Sequence, residues 1–119
     1  MGKGGERVHP FLELTLWEGV KCVRVTPPQP LGNRSVYVFV VDGMLIDTGC
    51  ATAEPYLAEL YASWSGEIEQ VVLTHSHEDH TGTAAWITGH TPWPVYIHPN
   101  GVAFCAAWPD YGAYRRNTW

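Results

Sequence analysis

Basic side chains are scarce in this chain of 119 residues. Seven Lys and Arg stand against twelve Asp and Glu, which gives a formal charge of −5 at pH 7 with the six histidines neutral. The longest basic run is the pair Arg115-Arg116. Because binding to a phosphate backbone requires clustered positive charge, we expect no nucleic-acid partner.

Long apolar runs and paired cysteine motifs are also absent. No apolar segment approaches the roughly 20 residues that span a bilayer, and the first seven residues precede no secretory apolar region. The three cysteines (Cys22, Cys50 and Cys105) form no Cys-x-x-Cys pair, which favours reduced thiols over disulfides. These absences predict a protein that does not contact a membrane and that resides in the cytoplasm.

The overall composition of the chain is that of one globular domain. Hydrophobic residues make up 45% of the chain and charged residues 16%, with six Trp, which is not the composition of a disordered chain. We expect one partial domain over residues 1–119, in which the Gly-rich, polar residues 1–10 are disordered.

Periodicity predicts several strands and two or three helices. Alternating apolar residues indicate a hairpin from 12–16 and 20–25, and Asp42-Gly43 is a favoured hairpin turn between 36–41 and 44–46. Apolar residues at helical spacing predict an amphipathic helix from Thr52 or Ala53 to about Ser65. Further strands are predicted at 68–73 and 95–98, and short helices at 83–87 and 100–108. The small residues at 82–85 would allow close packing beneath the preceding loop.

The most informative stretch follows the apolar run Val71-Val72-Leu73. Its sequence from 74 to 82 is THSHEDHTG, with three histidines and an aspartate within six residues. Imidazole nitrogen and carboxylate oxygen are ligands that Zn²⁺ prefers. Residues two apart in an extended segment point the same way, so His75 and His77 can reach one metal. Asp79 and His80 come after the chain begins to turn and suit a second, adjacent metal.

The pattern His-x-His-x-Asp-His at the end of an apolar strand resembles the signature of the metallo-β-lactamase superfamily. Upstream, Leu45-Ile46-Asp47-Thr48-Gly49 resembles the strand and turn that precede the first helix of that family. The resemblance implies an α+β fold, the αβ/βα sandwich, of which this chain would supply the first half with one mixed or antiparallel sheet. It also implies that Asp47 and Thr74 support the ligand loop through hydrogen bonds.

The resemblance further implies a hydrolase with two Zn²⁺ ions, although nitrogen and oxygen ligands also accept iron or manganese. Metal-activated water would attack an ester-like bond of a small molecule, namely a thioester, lactone, lactam or phosphoester. Asp79 would be both a metal ligand and the catalytic residue that orients the hydroxide and passes a proton to the leaving group. The acidic charge and the missing export signal favour the cytoplasmic, glyoxalase II-like group.

The resemblance stops short in the C-terminal region. Only 39 residues follow His80, and they contain His90, His98 and Asp110, none in a context that resembles the later metal motifs of the family. The chain therefore resembles a domain truncated at its C-terminus. The alternative function is that of an inactive metal-binding or structural fragment. An uncovered first sheet would leave an apolar face and open edges, so we expect the chain to self-associate.

Overall fold

The computed structural model describes residues 5–27, 35–74 and 81–100 of the chain. Within these residues, seven strands form one mixed sheet with two α-helices, which agrees with the predicted α+β architecture. The strands are β1 (Glu6–His9), β2 (Leu12–Trp17), β3 (Val20–Val25), β4 (Val36–Val41), β5 (Met44–Ile46), β6 (Gln70–Val72) and β7 (Val95–Tyr96). The helices are α1 (Glu54–Ser63), which follows a 3₁₀ turn at Ala51–Ala53, and α2 (Ala84–His90).

The order of the strands in the sheet is their order in the chain, from β1 at one edge to β7 at the other. Strands β1 to β5 pair antiparallel. Strands β5, β6 and β7 run parallel, and α1 and α2 lie in the two crossover connections that parallel pairing requires. The carboxyl ends of β5 and β6 therefore lie side by side at one edge of the sheet.

Two tight turns fix the register of β2 with β3 and of β4 with β5. Glu18 and Gly19 have φ values of 45° and 85°, and Asp42 and Gly43 have φ values of 50° and 78°. Two consecutive residues at positive φ are the geometry of a type I′ turn, whose twist matches that of the flanking strands. Both hairpins predicted from the sequence are confirmed.

One face of the sheet, the helix-covered face, holds the hydrophobic core. Alternate strand residues such as Val23, Val38 and Val71 are fully buried there, in one cluster with Leu57 and Tyr61 of α1. Ile87 of α2 is fully buried in the same cluster. The aromatic and leucine positions of α1 are thus core, as their helical spacing predicts.

The opposite face, the open face, carries the other side chains of each strand. The register brings together Cys22 with Phe39, Phe39 with Ile46, and Ile46 with Val72. These side chains are half-buried and lie outside the buried cluster. No helix among the described residues packs against the open face.

The expectation that residues 1–10 are disordered is wrong for Glu6–His9, which form β1. Arg7 pairs with Glu13, and His9 pairs with Leu12 after a bulge. The His9 ring stacks on Tyr56 of α1 with centroids 4.0 Å apart, and its Nδ1 accepts a hydrogen bond from the Phe11 amide. Contacts from a distant helix order this strand, and the local composition did not reveal them.

The remaining boundaries differ from the predictions by a few residues. Strand β6 spans only Gln70–Val72 of the predicted 68–73, and β7 ends at Tyr96. The helix predicted over 100–108 lies outside the described residues except for Asn100. Among residues 5–27, 35–74 and 81–100, no helix is both long and apolar enough to cross a membrane.

Candidate functional site

The four predicted metal ligands, His75, His77, Asp79 and His80, lie outside the described residues. The residues on both sides of them are described, so the anchoring of this segment can be followed from each end. The segment of six residues, 75–80, is called the histidine segment below. It follows β6 at the edge where the carboxyl ends of β5 and β6 lie side by side.

Asp47 holds the start of the histidine segment. Its Oδ1 accepts a hydrogen bond from the Thr74 amide at 2.8 Å, and its Oδ2 accepts one from the Thr74 hydroxyl at 2.8 Å. The Asp47 amide donates to the Val72 carbonyl oxygen at 2.9 Å. Asp47 is 4% exposed and has a φ of 64°, a conformation that Asp tolerates better than most residues. The predicted contact between Asp47 and the ligand loop is thus present at Thr74.

The residues that follow the segment are bound by Thr48 and Gly49, the two residues that come directly after Asp47. The Gly82 amide donates to the Gly49 carbonyl oxygen at 2.8 Å. The Thr83 hydroxyl donates to the Thr48 carbonyl oxygen at 2.8 Å, and the Thr83 amide donates to the Thr48 hydroxyl at 3.3 Å. Thr48 and Thr83 are both fully buried, so these bonds satisfy groups that water cannot reach.

Gly82 allows this close approach. A Cβ atom built on Gly82 would lie 2.3 Å from the Ala51 nitrogen and 2.6 Å from the Cys50 carbonyl carbon. Both atoms are backbone and cannot move aside as a flexible side chain would. Gly82 thus packs closely against the turn at 50–51, whereas the packing of residues 82–85 beneath the preceding loop remains a prediction, because that loop lies outside the described residues.

A buried tyrosine completes the support. The Tyr61 hydroxyl donates to the Thr48 carbonyl oxygen at 2.9 Å, so this oxygen accepts two hydrogen bonds. Burial raises the pKa of Tyr61 far above its ordinary value, and the hydroxyl stays protonated as a donor. The sequence did not identify Thr48, Thr83 and Tyr61 as supporting residues. Tyr61 belongs to the apolar positions of an amphipathic helix, Thr48 lies in the recognised turn but was given no role there, and Thr83 lies in no recognised pattern.

One short turn thus anchors both ends of the histidine segment. Asp47 binds the residue before it, and Thr48 and Gly49 bind Gly82 and Thr83 after it. We call residues 47–49 the anchor turn. Because Thr74 on one side and Gly82 and Thr83 on the other bind adjacent residues of the anchor turn, the two points between which the histidine segment runs lie close together at the edge of the sheet. Such outer support orients the side chains of a ligand set and limits the entropy lost when they converge on one ion.

The described histidines have structural contacts of their own. The His90 ring stacks on Trp86 at 4.8 Å, and the His98 Nδ1 accepts a hydrogen bond from the Asn100 amide. In the part of the chain that the structure describes, no three His, Cys, Asp or Glu side chains converge as metal ligands. The donor set that could hold zinc is that of the histidine segment, three imidazoles and a carboxylate, which fits this ion by its chemistry.

The model of the metallo-beta-lactamase superfamily matches residues 31–119, which include the anchor turn and the histidine segment. The chain belongs to the metallo-beta-lactamase superfamily. The superfamily resemblance of the His-x-His-x-Asp-His motif is confirmed by this match.

A curated relative of this chain is the "Probable metallo-hydrolase YqjP" of Bacillus subtilis (strain 168). It is 38% identical over 95 residues, which cover 70% of this chain and 30% of the relative. The chain therefore spans less than one third of the length of that relative. The superfamily match and the description of this relative both favour a hydrolase.

Solved structures in the superfamily share the fold. The metallo-beta-lactamase FIM-1 from Pseudomonas aeruginosa, in its mono-zinc form, aligns with a TM-score of 0.66 at 20% identity over 80% of this chain and 45% of that protein. A metallo-beta-lactamase from Erythrobacter litoralis aligns with a TM-score of 0.64 at 21% identity over 86% of this chain and 47% of that protein. This chain spans less than half of each.

Proposed function

We propose that this chain supplies the metal-binding edge of a zinc-dependent hydrolase of the superfamily. The observation that carries the proposal is the anchor turn, which fastens both ends of a segment with three histidines and an aspartate. Hydrogen bonds between Asp47 and Thr74 support the segment from one side, and those between Thr48 and Thr83 from the other. In this proposal the metal ligands are His75, His77, Asp79 and His80.

The proposed reaction is hydrolysis of an ester-like bond in a small molecule, of the glyoxalase II-like kind, in the cytoplasm. Zinc bound at such a site lowers the pKa of water to about 7 and so supplies a nucleophile at neutral pH. Asp79 would hold that nucleophile in position and move a proton to the leaving group. Asp47 and Thr74 keep the segment in place through their hydrogen bonds and do not contact the substrate.

A second candidate is a metal-binding or structural fragment without turnover. It is favoured by the share of each relative that the chain spans, 30% of the curated protein and 45% to 47% of the solved ones. The two candidates agree on metal binding and differ on catalysis, so they are separated by measuring both properties on the same protein.

The test is zinc content per chain by mass spectrometry, on protein purified without chelator, followed by hydrolysis assays on generic thioester and lactone substrates. We expect about one or two zinc ions per chain, with a loss in His75→Ala and His77→Ala. His90→Ala is the matched control, because His90 is an exposed histidine that stacks on Trp86 outside the motif. It should leave the zinc content unchanged.

Zinc-dependent turnover that is abolished in His77→Ala would establish the hydrolase and exclude the inactive fragment. Bound zinc without turnover on any ester-like substrate would favour the fragment. An absence of zinc in the unmodified chain, or equal zinc content in His75→Ala and His90→Ala, would contradict both candidates as properties of these 119 residues.

A further inference from the structure

The Tyr61 hydroxyl is a polar group at an otherwise apolar position of α1. The side chain is fully buried in the core cluster with Leu57, where phenylalanine would fill nearly the same space. A buried hydroxyl requires a hydrogen-bond partner, and that of Tyr61 donates to the Thr48 carbonyl oxygen at 2.9 Å. The hydroxyl therefore adds one directional contact to the packing, and this contact joins α1 to the anchor turn.

The same carbonyl oxygen accepts a hydrogen bond from the Thr83 hydroxyl at 2.8 Å. Thr83 directly precedes α2, a position whose side chain commonly accepts a hydrogen bond from an amide of its own helix. Within residues 81–90, the Thr83 side chain makes no such bond, and its hydroxyl donates to the anchor turn instead. Burial raises the pKa of Tyr61 far above its ordinary value, and the Thr83 hydroxyl, which can bond the ionised form, opposes that shift. The two hydroxyls are therefore neighbours.

This hydroxyl cluster lies beyond one end of the histidine segment. Thr83 comes three residues after His80, the last residue of the segment. The residue before the segment, Thr74, is bound by Asp47, whose amide donates to the Val72 carbonyl oxygen of β6. The two ends are therefore supported by different elements, with β6 at the first end and α1 at the second.

We propose that Tyr61 is a positioning residue for the second end of the histidine segment and acts through the Thr48 carbonyl oxygen on Thr83. The consequence for metal binding rests on the proposed function, in which Asp79 and His80 are the ligands nearest to this end. Without the Tyr61 hydroxyl, Thr48 and Thr83 keep their mutual bonds, but the start of α2 loses its directional link to α1. The ligands at this end then converge less precisely on zinc, and the affinity for the ion falls.

The first test is the dissociation constant for zinc at pH 7, measured on the full chain by competition with a chromophoric chelator. Loss of a group that orients metal ligands lowers affinity by about 10- to 100-fold, and we expect about tenfold in Tyr61→Phe, which acts from further away. Leu60→Ala is the matched control in α1. Its expected loss of stability is similar, but Leu60 faces β1, where it lines a cleft with Val8 and Leu12. It should change the dissociation constant by less than about twofold.

Thr83 supplies a second pair of variants, which separates the hydroxyl from the packing. Thr83→Val keeps the branched shape and removes the hydroxyl, whereas Thr83→Ser keeps the hydroxyl. Thr83→Val should weaken zinc binding by at least about tenfold, because it removes the bond that links α2 to the Thr48 carbonyl oxygen. Thr83→Ser should lose less affinity than Thr83→Val, and equal losses would contradict a role for the hydroxyl cluster.

Amide hydrogen exchange of the full chain as purified, followed by NMR, tests the positioning without reference to the metal. The Thr83 amide donates to the Thr48 hydroxyl and the Thr74 amide to Asp47, so each end of the histidine segment has its own reporter. In Tyr61→Phe, the ratio of the exchange rate at Thr83 to that at Thr74 should rise by about fivefold, the factor that corresponds to one net hydrogen bond. Leu60→Ala should leave this ratio unchanged.

The two measurements separate a failure of this inference from a failure of the proposed function. If the unmodified chain binds no zinc, the proposed function fails, and the ratio of exchange rates alone decides the role of Tyr61. A ratio that rises in Tyr61→Phe and stays constant in Leu60→Ala supports that role. An unchanged ratio in Tyr61→Phe, or equal zinc affinities of Tyr61→Phe and Leu60→Ala in a chain that binds the ion, would overturn it.

Discussion

At the scale of single residues, the anchor turn depends on a few buried polar groups. The Thr48 carbonyl oxygen accepts hydrogen bonds from both Tyr61 and Thr83, and each donor comes from a different helix or its first turn. Leaving a buried acceptor without any donor lowers the free energy of unfolding by about 1–3 kcal/mol. Because Thr48 retains the bond from Thr83, removing the Tyr61 hydroxyl alone should cost less.

The ionisation of Tyr61 predicts how stability depends on pH. Burial raises its pKa in the folded state, whereas in the unfolded chain it ionises near its ordinary value of about 10. The neutral form therefore stabilises the fold fully below about pH 10, and this contribution is lost as the pH rises further, by up to about 1.4 kcal/mol per pH unit. Tyr61→Phe should cost about 1 kcal/mol at pH 7 and flatten the decline above pH 10.

The measurement is urea denaturation at pH 7 to 11, followed by circular dichroism. Tyr37→Phe is the control, because Tyr37 is 45% exposed on the open face and should leave the slope above pH 10 unchanged. Equal slopes in the unmodified chain and in Tyr61→Phe would contradict the role assigned to Tyr61.

At the scale of secondary-structure elements, α2 must begin close to the anchor turn. Gly82→Ala would force its new Cβ against the backbone of Cys50 and Ala51. We expect a loss of about 1–3 kcal/mol in the free energy of unfolding, as for overpacking elsewhere in protein interiors. Urea denaturation at neutral pH measures this loss directly.

Gly89→Ala is the matched control in the same region. A Cβ on Gly89 meets nothing within 4 Å, and Gly89 lies within α2, where alanine favours the helix by about 0.5–1 kcal/mol. The two glycine substitutions should therefore have opposite signs. A neutral or stabilising Gly82→Ala would show that α2 can move away from the turn without cost.

The elements also show what the sequence could and could not predict. Both hairpins could be predicted because their signals are local: apolar alternation in β2 and β3, and the Asp42-Gly43 turn between β4 and β5. Strand β1 was not predicted because tertiary contacts stabilise it. It pairs with β2, and His9 stacks on Tyr56, which lies more than forty positions away in the sequence. The contact of Asp47 was implied by the resemblance, whereas Thr48–Thr83 joins residues 35 apart that no pattern links.

At the scale of the whole molecule, one buried cluster joins the sheet to both helices. Leu57 is fully buried in it. Leu57→Ala should therefore lower the free energy of unfolding by about 2–5 kcal/mol and should shift the entire transition. Circular dichroism and tryptophan fluorescence should report the same lowered midpoint, as expected of two-state unfolding.

Leu60→Ala supplies the comparison within α1, because Leu60 only packs against the edge of the cluster. Its effect should be smaller, at about 1 kcal/mol. If circular dichroism and tryptophan fluorescence gave different midpoints for Leu57→Ala, the sheet and the helices would unfold independently.

The order of the strands in the sheet bears on how the chain folds during synthesis. Each strand from β2 to β7 pairs with the strand that immediately precedes it in the chain. A nascent chain that leaves the ribosome from its N-terminus therefore never waits for a later strand to be inserted between two earlier ones. Sheets built from such sequential contacts fold faster than those that require distant segments to meet first. The histidine segment emerges only after β1 to β6 and the anchor turn have been made, so the residues that hold its ends precede it in the order of synthesis.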